Sequence, residues 1–334
     1  MSKAGNKVKI KYFGSEYEGI LLESSDKEIH LLKLTNGYNI GLPKKGSQVE
    51  VIGKTNFGIK SDTTPLKQDR SLPNISLIST GGTIASHVDY KTGAVHPMTK
   101  PRELLGKIPE LKKIANISVL SPLSIFSEEM NCEHWSKISG FVARELNKDD
   151  VRGVVVTHGT DTLHYTSAAL SFALEGLSKP VAIVGGQRSS DRGSFDGGMN
   201  LICGVHYANS DIAEVATILH GTSSDDYCLA NRGTKVKKLH TSKRDAFRPI
   251  NTVPLSKIYP SGKIEKHSKC ELRHSGKVKV KSKFEEKVAL LKYYPGMTAN
   301  ILDSYSDYKG IIIEGTGLGP VSYTHLTLPT ICSV

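Results

Sequence analysis

No apolar run in this 334-residue chain approaches the roughly 18 residues that a membrane-spanning helix needs. The opening segment MSKAGNKVKIKYFG lacks the apolar core of a secretion signal. Together these absences predict a cytoplasmic protein with no membrane role. Cysteine is scarce. Cys132, Cys203, Cys228, Cys270 and Cys332 are odd in number and widely scattered, which argues against a disulfide framework. His267, Cys270 and His274 lie close in sequence, but they lack the fourth ligand and tight turn of a zinc site, and no metal site is expected. Acidic residues are sparse between Lys235 and Lys287, where the excess behind a net charge of +11 gathers. That excess suits an acidic partner such as RNA, and equally a solvated basic surface.

The composition itself, 38% apolar and 23% charged, is that of an ordinary globular protein, and the length is comfortable for two domains. KVKIKYFG, YEGILLES, EIHLLKLT, YNIGLP and QVEVIG alternate polar and apolar residues and are separated by turn signals such as Asn36-Gly37. Five short strands in so short a span predict a small closed all-β barrel over residues 1–53. Residues 54–73 lose periodicity and collect Lys, Ser, Asp and Pro, as a linker does. From Asn74 the pattern becomes strand, helix, strand: ISLIST, VRGVVVTH, the helix DTLHYTSAALSFALEGL, PVAIVGG, the helix GGMNLICGVHYANS, and EVATILHG. This predicts an α/β domain over 74–287 built on a parallel sheet covered on both faces. KVALLKYYPG and GIIIEGTG predict the start of a second, smaller α/β domain over 288–320. The segment 321–334, VSYTHLTLPTICSV, shows no helix where the alternation calls for one. It resembles adapter read-through at the end of a gene, so a non-native tail on a truncated second domain is expected.

Ligands in open α/β sheets sit at the carboxyl ends of the strands. Two unusual motifs occupy such ends. Ser79-Thr80-Gly81-Gly82-Thr83-Ile84-Ala85 offers hydroxyls beside a glycine turn, suited to a nucleophile with backbone N–H groups as an oxyanion hole. It lacks the Gly-Lys-Ser/Thr of a phosphate loop. Thr157-His158-Gly159-Thr160-Asp161-Thr162 places a hydroxyl beside a carboxylate, the start of a proton relay. Taken alone, Thr160 and Asp161 read better as helix caps, but two such Thr/Gly edges on neighbouring strands are unlikely as coincidence. Gly315, Gly317 and Gly319 lack the spacing and following helix of a dinucleotide site.

TGGTIAS and THGTDT, in this order, resemble the two signatures of the L-asparaginase/glutaminase family, and the resemblance extends over roughly residues 74 to 319 through SEEMN, VGGQRSSDRGSFDGGMNL and KKLHTSKRDAF. It implies an asparaginase-like fold in which Thr83 is the nucleophile and Tyr90, in HVDYKTGAV, lies on a mobile lid. Thr160, Asp161 and Lys238 then form a second triad, while Ser127 and Glu128 hold the amino-acid end of the substrate. Glu128 departs from secreted-type asparaginases, which often carry glutamine there. Lys235, Lys237 and Lys243 lie close to Lys238, and the residue pattern alone does not choose among them.

The strand-rich segment before the first threonine motif, together with GGQRSSDR and HTSKRDAF, resembles the D-subunit group of archaeal Glu-tRNA(Gln) amidotransferases. That resemblance implies a glutaminase that passes ammonia to an E subunit. The E subunit binds Glu-tRNA(Gln) and uses ATP and Mg²⁺, and the glutaminase itself needs no cofactor. It also implies a homodimer core within a heterotetramer. The alternative is a self-standing L-asparaginase with an appendage. Glutamine and asparagine share the same reactive amide, so either fits as substrate.

Overall fold

A computed structural model describes residues 6–22, 28–34, 39–54, 69–82, 86–88, 95–97, 108–188 and 195–317. Thr83, Tyr90, the Asn36-Gly37 turn, most of the linker, Gly319 and the tail 321–334 lie outside these residues. The chain divides into two compact units, residues 1–282 and 283–334. The sequence pattern places the second domain's start at residue 288, slightly later than this division.

The first five strands are β1 (Asn6–Tyr12), β2 (Ser15–Leu22), β3 (Ile29–Leu34), β4 (Asn39–Pro43) and β5 (Gln48–Lys54). They form an antiparallel sheet in the order β4-β3-β2-β1-β5. Among the described residues no ladder joins β4 to β5. Alternation on β1 sends Val8 and Ile10 inward, where they meet Leu21, Leu32 and Leu42. The intervening Lys7 and Lys11 pair across the strands with Glu18 and Glu16, at 2.6 and 2.9 Å. The β1–β2 hairpin turns on Phe13 and Gly14, at φ +46° and +75°, the left-handed geometry of a two-residue hairpin loop.

Next in the chain come β6 (Asn74–Ser79), a short antiparallel pair β7 (Ser86–Val88) and β8 (Val95–Pro97), β9 (Asn116–Leu120) and β10 (Val151–Thr157). These are followed by β11 (Leu174–Glu175), β12 (Val181–Val184), β13 (Val215–His220), β14 (Cys228–Arg232) and β15 (Val236–Lys238). The unit ends with β16 (Phe247–Pro249), β17 (Ser256–Ile258), β18 (Ile264–Lys266) and β19 (Lys279–Val280). The three α-helices are α1 (Cys132–Leu146), α2 (Leu163–Ala173) and α3 (Gly197–Asn209).

The main sheet has eight strands in the order β18-β17-β14-β13-β12-β10-β6-β9. From β9 to β13 the strands run parallel, as predicted. The sheet then continues antiparallel through β14, β17 and β18. On β10, Val154 and Val156 face α1 and α2, while Val155 faces α3. Burial on both faces explains the unbroken apolar run, and each such side chain contributes about 1.5–3 kcal/mol. Gly153 marks the closest approach of β10 to α3. A Cβ there would lie 2.1 Å from the carbonyl oxygen of Ala208. Helix α1 begins on Asn131, whose side chain accepts from the His134 N–H at 3.0 Å. Its buried Glu145 faces the sheet and accepts from Ser76 Oγ at 2.8 Å while pairing with Lys148 at 2.7 Å.

The chain leaves β6 toward β9 on one side, then returns and builds β10, β12 and β13 on the other. The order reverses between β6 and β10, and their carboxyl ends flank the crevice where such sheets hold ligands.

In the second unit, β20 (Val288–Lys292) and β21 (Gly310–Glu314) pair in parallel, joined through a 3-10 segment at Ala299–Tyr305. Among the described residues no helix is long and apolar enough to cross a membrane.

Candidate active site

The two threonine motifs leave adjacent strand ends, with Thr157 in register with Ser79. Thr80 ties them together: its N–H and its hydroxyl both donate to the Thr157 carbonyl, at 3.1 and 2.9 Å. The Thr80 hydroxyl is thereby committed to structure. Ile125 donates its N–H to the Thr80 carbonyl at 3.1 Å, which brings the following Ser127 to the same edge. Gly82, at φ +79°, has no room for a side chain, because a Cβ would sit 2.4 Å from Gly159 N. A Cβ on Gly159 would sit 2.7 Å from the Ser127 side chain. These glycines let three segments of the protein's own backbone meet, a tighter constraint than room for a ligand.

Beyond Gly159 the chain enters α2. Neither Thr160 nor Asp161 caps this helix. The N-cap is Thr162, which makes no side-chain cap bond and donates its hydroxyl to the Ser127 carbonyl at 2.6 Å. Lys238 Nζ donates to Thr160 Oγ1 at 2.9 Å and to Asp161 Oδ1 at 2.7 Å. The lysine side chain is 7% exposed and the Asp161 side chain 69%. An ammonium taken mostly out of water needs such acceptors to offset its lost hydration. Side-chain parity on β15 selects this lysine: Val236 is buried, Lys237 points out, and Lys238 turns in opposite Phe247. Lys235, Lys237 and Lys243 are exposed.

His158 supports the loop from behind. It is fully buried, and burial pushes its pKa down to about 4, opposed by its hydrogen bond to Gly159. The network assigns the neutral tautomer. Nδ1–H donates to the Gly159 carbonyl at 2.7 Å, and Nε2 accepts from Thr166 Oγ1 at 2.8 Å. Thr166 can donate because its oxygen accepts from Trp135 Nε1 at 2.9 Å. A cavity of about 320 Å³ opens beside the Lys238–Asp161 pair, lined by these two with His164, Leu239, His240 and Thr241. His164 is half-buried there, its pKa lowered by burial and then by the nearby Lys237 and Lys238 charges.

The structure thus brings Ser127, Thr160, Asp161 and Lys238 to one sheet edge, with Glu128 exposed on the 3-10 turn Ser127–Glu129. Thr83 directly follows Gly82 in sequence, but it and Tyr90 lie outside the described residues. Two residues at this edge lie in the segment VGGQRSSDRGSFDGGMNL, but the sequence assigns neither a role. Gln187, just past β12, accepts from Thr160 Oγ1 at 3.2 Å. The buried Asp196 carboxylate accepts the N–H groups of Gln187 and Arg188, at 3.0 and 2.9 Å. The resemblance of GGQRSSDR marks the loop, but it does not say which of its side chains reaches Thr160. Among the described residues no cluster of His, Cys, Asp and Glu could hold a metal ion.

Residues 74–271 match the family described as "Asparaginase, N-terminal", and residues 2–52 match "GatD N-terminal domain". The chain is 51% identical over 315 residues to the glutamyl-tRNA(Gln) amidotransferase D subunit of Pyrococcus furiosus, covering 91% of this chain and 71% of that one. It is 44% identical over 332 residues to the protein of the same name from Archaeoglobus fulgidus, covering 98% and 78%. Among solved structures, the thermostable L-asparaginase from Thermococcus kodakarensis superposes with a TM-score of 0.66 at 25% identity, over 75% of this chain and 73% of that one. L-asparaginase I from Vibrio cholerae gives a TM-score of 0.65 at 27% identity, over 75% and 74%. With the strand module of residues 2–52 preceding the two-threonine sheet edge, the chain belongs to the asparaginase family and, within it, to the D subunits of glutamyl-tRNA(Gln) amidotransferase.

Proposed function

We propose that this chain hydrolyses the side-chain amide of glutamine and supplies the ammonia to a partner E subunit, which amidates Glu-tRNA(Gln). One observation carries the chemistry: a largely buried lysine ammonium is shared between Thr160 and Asp161 at the point where the strand order reverses. In this reading Thr83 is the nucleophile. Its oxygen attacks the amide carbon, the C–N bond breaks, and the departing nitrogen collects the nucleophile's proton and leaves as ammonia. Water then attacks the acyl ester, releasing glutamate and restoring the Thr83 hydroxyl. Lys238, held by Asp161, occupies one lone pair of the Thr160 oxygen. That polarises the hydroxyl that assists proton movement at the adjacent strand end.

Ser127 and Glu128 bind the amino-acid end of the substrate, and Tyr90 closes over it. ATP and Mg²⁺ serve the partner subunit, and none of these steps calls for a cofactor on this chain. The working assembly is a cytoplasmic homodimer of this chain flanked by two partners. Asparagine is accepted to the extent that the Ser127–Glu128 end tolerates a shorter side chain.

Identity near 50% to D subunits and the matched N-terminal module favour this reading over a free L-asparaginase. Ammonia release by the protein alone, with the partner, and with partner plus charged tRNA separates the two. A feeble basal rate that rises on assembly is expected. A full rate unchanged by either addition makes the chain a free asparaginase.

A further inference from the structure

We propose that Gln187 is a positioning residue of the reaction, setting the direction of the Thr160 hydroxyl. The proposal rests on the reading of Thr160 as part of the catalytic set. A threonine hydroxyl has one hydrogen and two lone pairs, and a lysine ammonium has only hydrogens. Since Lys238 Nζ donates to Thr160 Oγ1, the threonine's own hydrogen must find an acceptor elsewhere. Gln187 Oε1, at 3.2 Å, is that acceptor. With one lone pair held by Lys238 and the hydrogen held by Gln187, a single lone pair is left to accept a proton. A freely turning hydroxyl would spend part of its time with its hydrogen there instead.

The surroundings fit an amide held in place for this purpose. The carboxylate of Asp196 grips the backbone N–H groups of Gln187 and Arg188. Gly185 lets Thr160 pack against this strand end, since a Cβ there would lie 2.9 Å from Thr160 Cγ2. The other end of the amide is unsatisfied: Gln187 Nε2 is buried with no hydrogen-bond partner among the described residues. Unpaired at one end, the amide costs stability, and an apolar side chain of the same length would sit there more comfortably.

The test is Gln187→Met, which keeps the length and removes both polar groups, beside Gln187→Glu, which keeps an acceptor oxygen. The expected result for Gln187→Met is a fall in kcat of about tenfold or more with KM within about twofold, while Tm holds or rises. Gln187→Glu should recover part of the lost kcat. In a Thr160→Val background, Gln187→Met should change nothing further. An unchanged kcat in Gln187→Met overturns the proposal, as does a fall that tracks a lowered Tm or persists undiminished without the Thr160 hydroxyl. If Thr160→Val alone leaves activity intact, the catalytic reading of Thr160 fails first and the proposal falls with it.

Discussion

At the scale of single residues, each role assigned at the sheet edge makes a separable claim. Thr83→Ala and Thr160→Val should each cut amide hydrolysis by roughly a thousandfold or more, with circular dichroism and Tm near wild type. Lys238→Met should lower turnover far more than Lys237→Met, because strand parity turns only Lys238 toward Thr160. Near-equal losses in the two variants would detach the lysine from the mechanism. His158 makes a claim about pH. Its folded pKa is about 4 and the unfolded value near 6.5, so the unfolded chain takes up a proton first as pH falls. The stability it contributes is complete above pH 6.5 and is lost progressively down to pH 4, on the order of 3 kcal/mol in all. Denaturant titrations at pH 7 and pH 4.5 should show this loss in wild type and a shallower one in His158→Gln. Equal slopes would mean that the buried ring does not govern acid sensitivity. The threonine motifs were legible in sequence because two Thr/Gly edges on neighbouring strands are unlikely to coincide, whereas single strand-end hydroxyls such as those of Thr80 and Thr162 serve structure. The contact of Gln187 with the Thr160 hydroxyl was not, since the motif GGQRSSDR marks a loop without saying which side chain turns inward.

At the scale of elements, the parallel core was legible because doubly buried strands such as β10 read as unbroken apolar runs. The antiparallel continuation through β14, β17 and β18 was not. Two of those strands are three residues long, and so short a stretch holds no measurable periodicity. The helix-cap reading of Thr160 and Asp161 failed for a long-range reason: a lysine on a distant strand claims both side chains. Glycine substitutions test the packing. Gly153→Ala drives a methyl against the Ala208 carbonyl, and a loss of about 1–3 kcal/mol or more is expected in urea unfolding. Gly140→Ala, on the exposed face of α1 with open space around it, should instead stabilise by up to about 1 kcal/mol. A Gly153→Ala protein as stable as wild type would show that β10 and α3 can part without cost.

At the scale of the whole molecule, the strand module and the amidohydrolase sheet sit on one chain, and activity should be governed from outside it. A partner that shifts the site from about 1% to 99% competent must bind the competent form more tightly by roughly 5.5 kcal/mol. By linkage, substrate should tighten partner binding by the factor by which the partner tightens substrate binding, at most about a hundredfold for this shift. Titrating the partner with and without a non-hydrolysable glutamine analogue measures it, and identical affinities would leave the coupling without a thermodynamic basis.

The sheet-edge geometry also carries a consequence for biosynthesis. Lys238 follows its partner Thr160 by 78 positions, and the intervening chain builds β12, β13 and β14 before β15 can deliver the amine. The threonine motifs therefore emerge from the ribosome, and can fold onto β6 and β10, well before the amine that bonds Thr160 exists. If Lys238 plays its proposed part, a nascent or prematurely terminated chain ending short of β15 is chemically silent, however native its sheet. On the proposed role of Lys238 the site is completed by its last-made residue, and unfinished copies should release no ammonia into the cell.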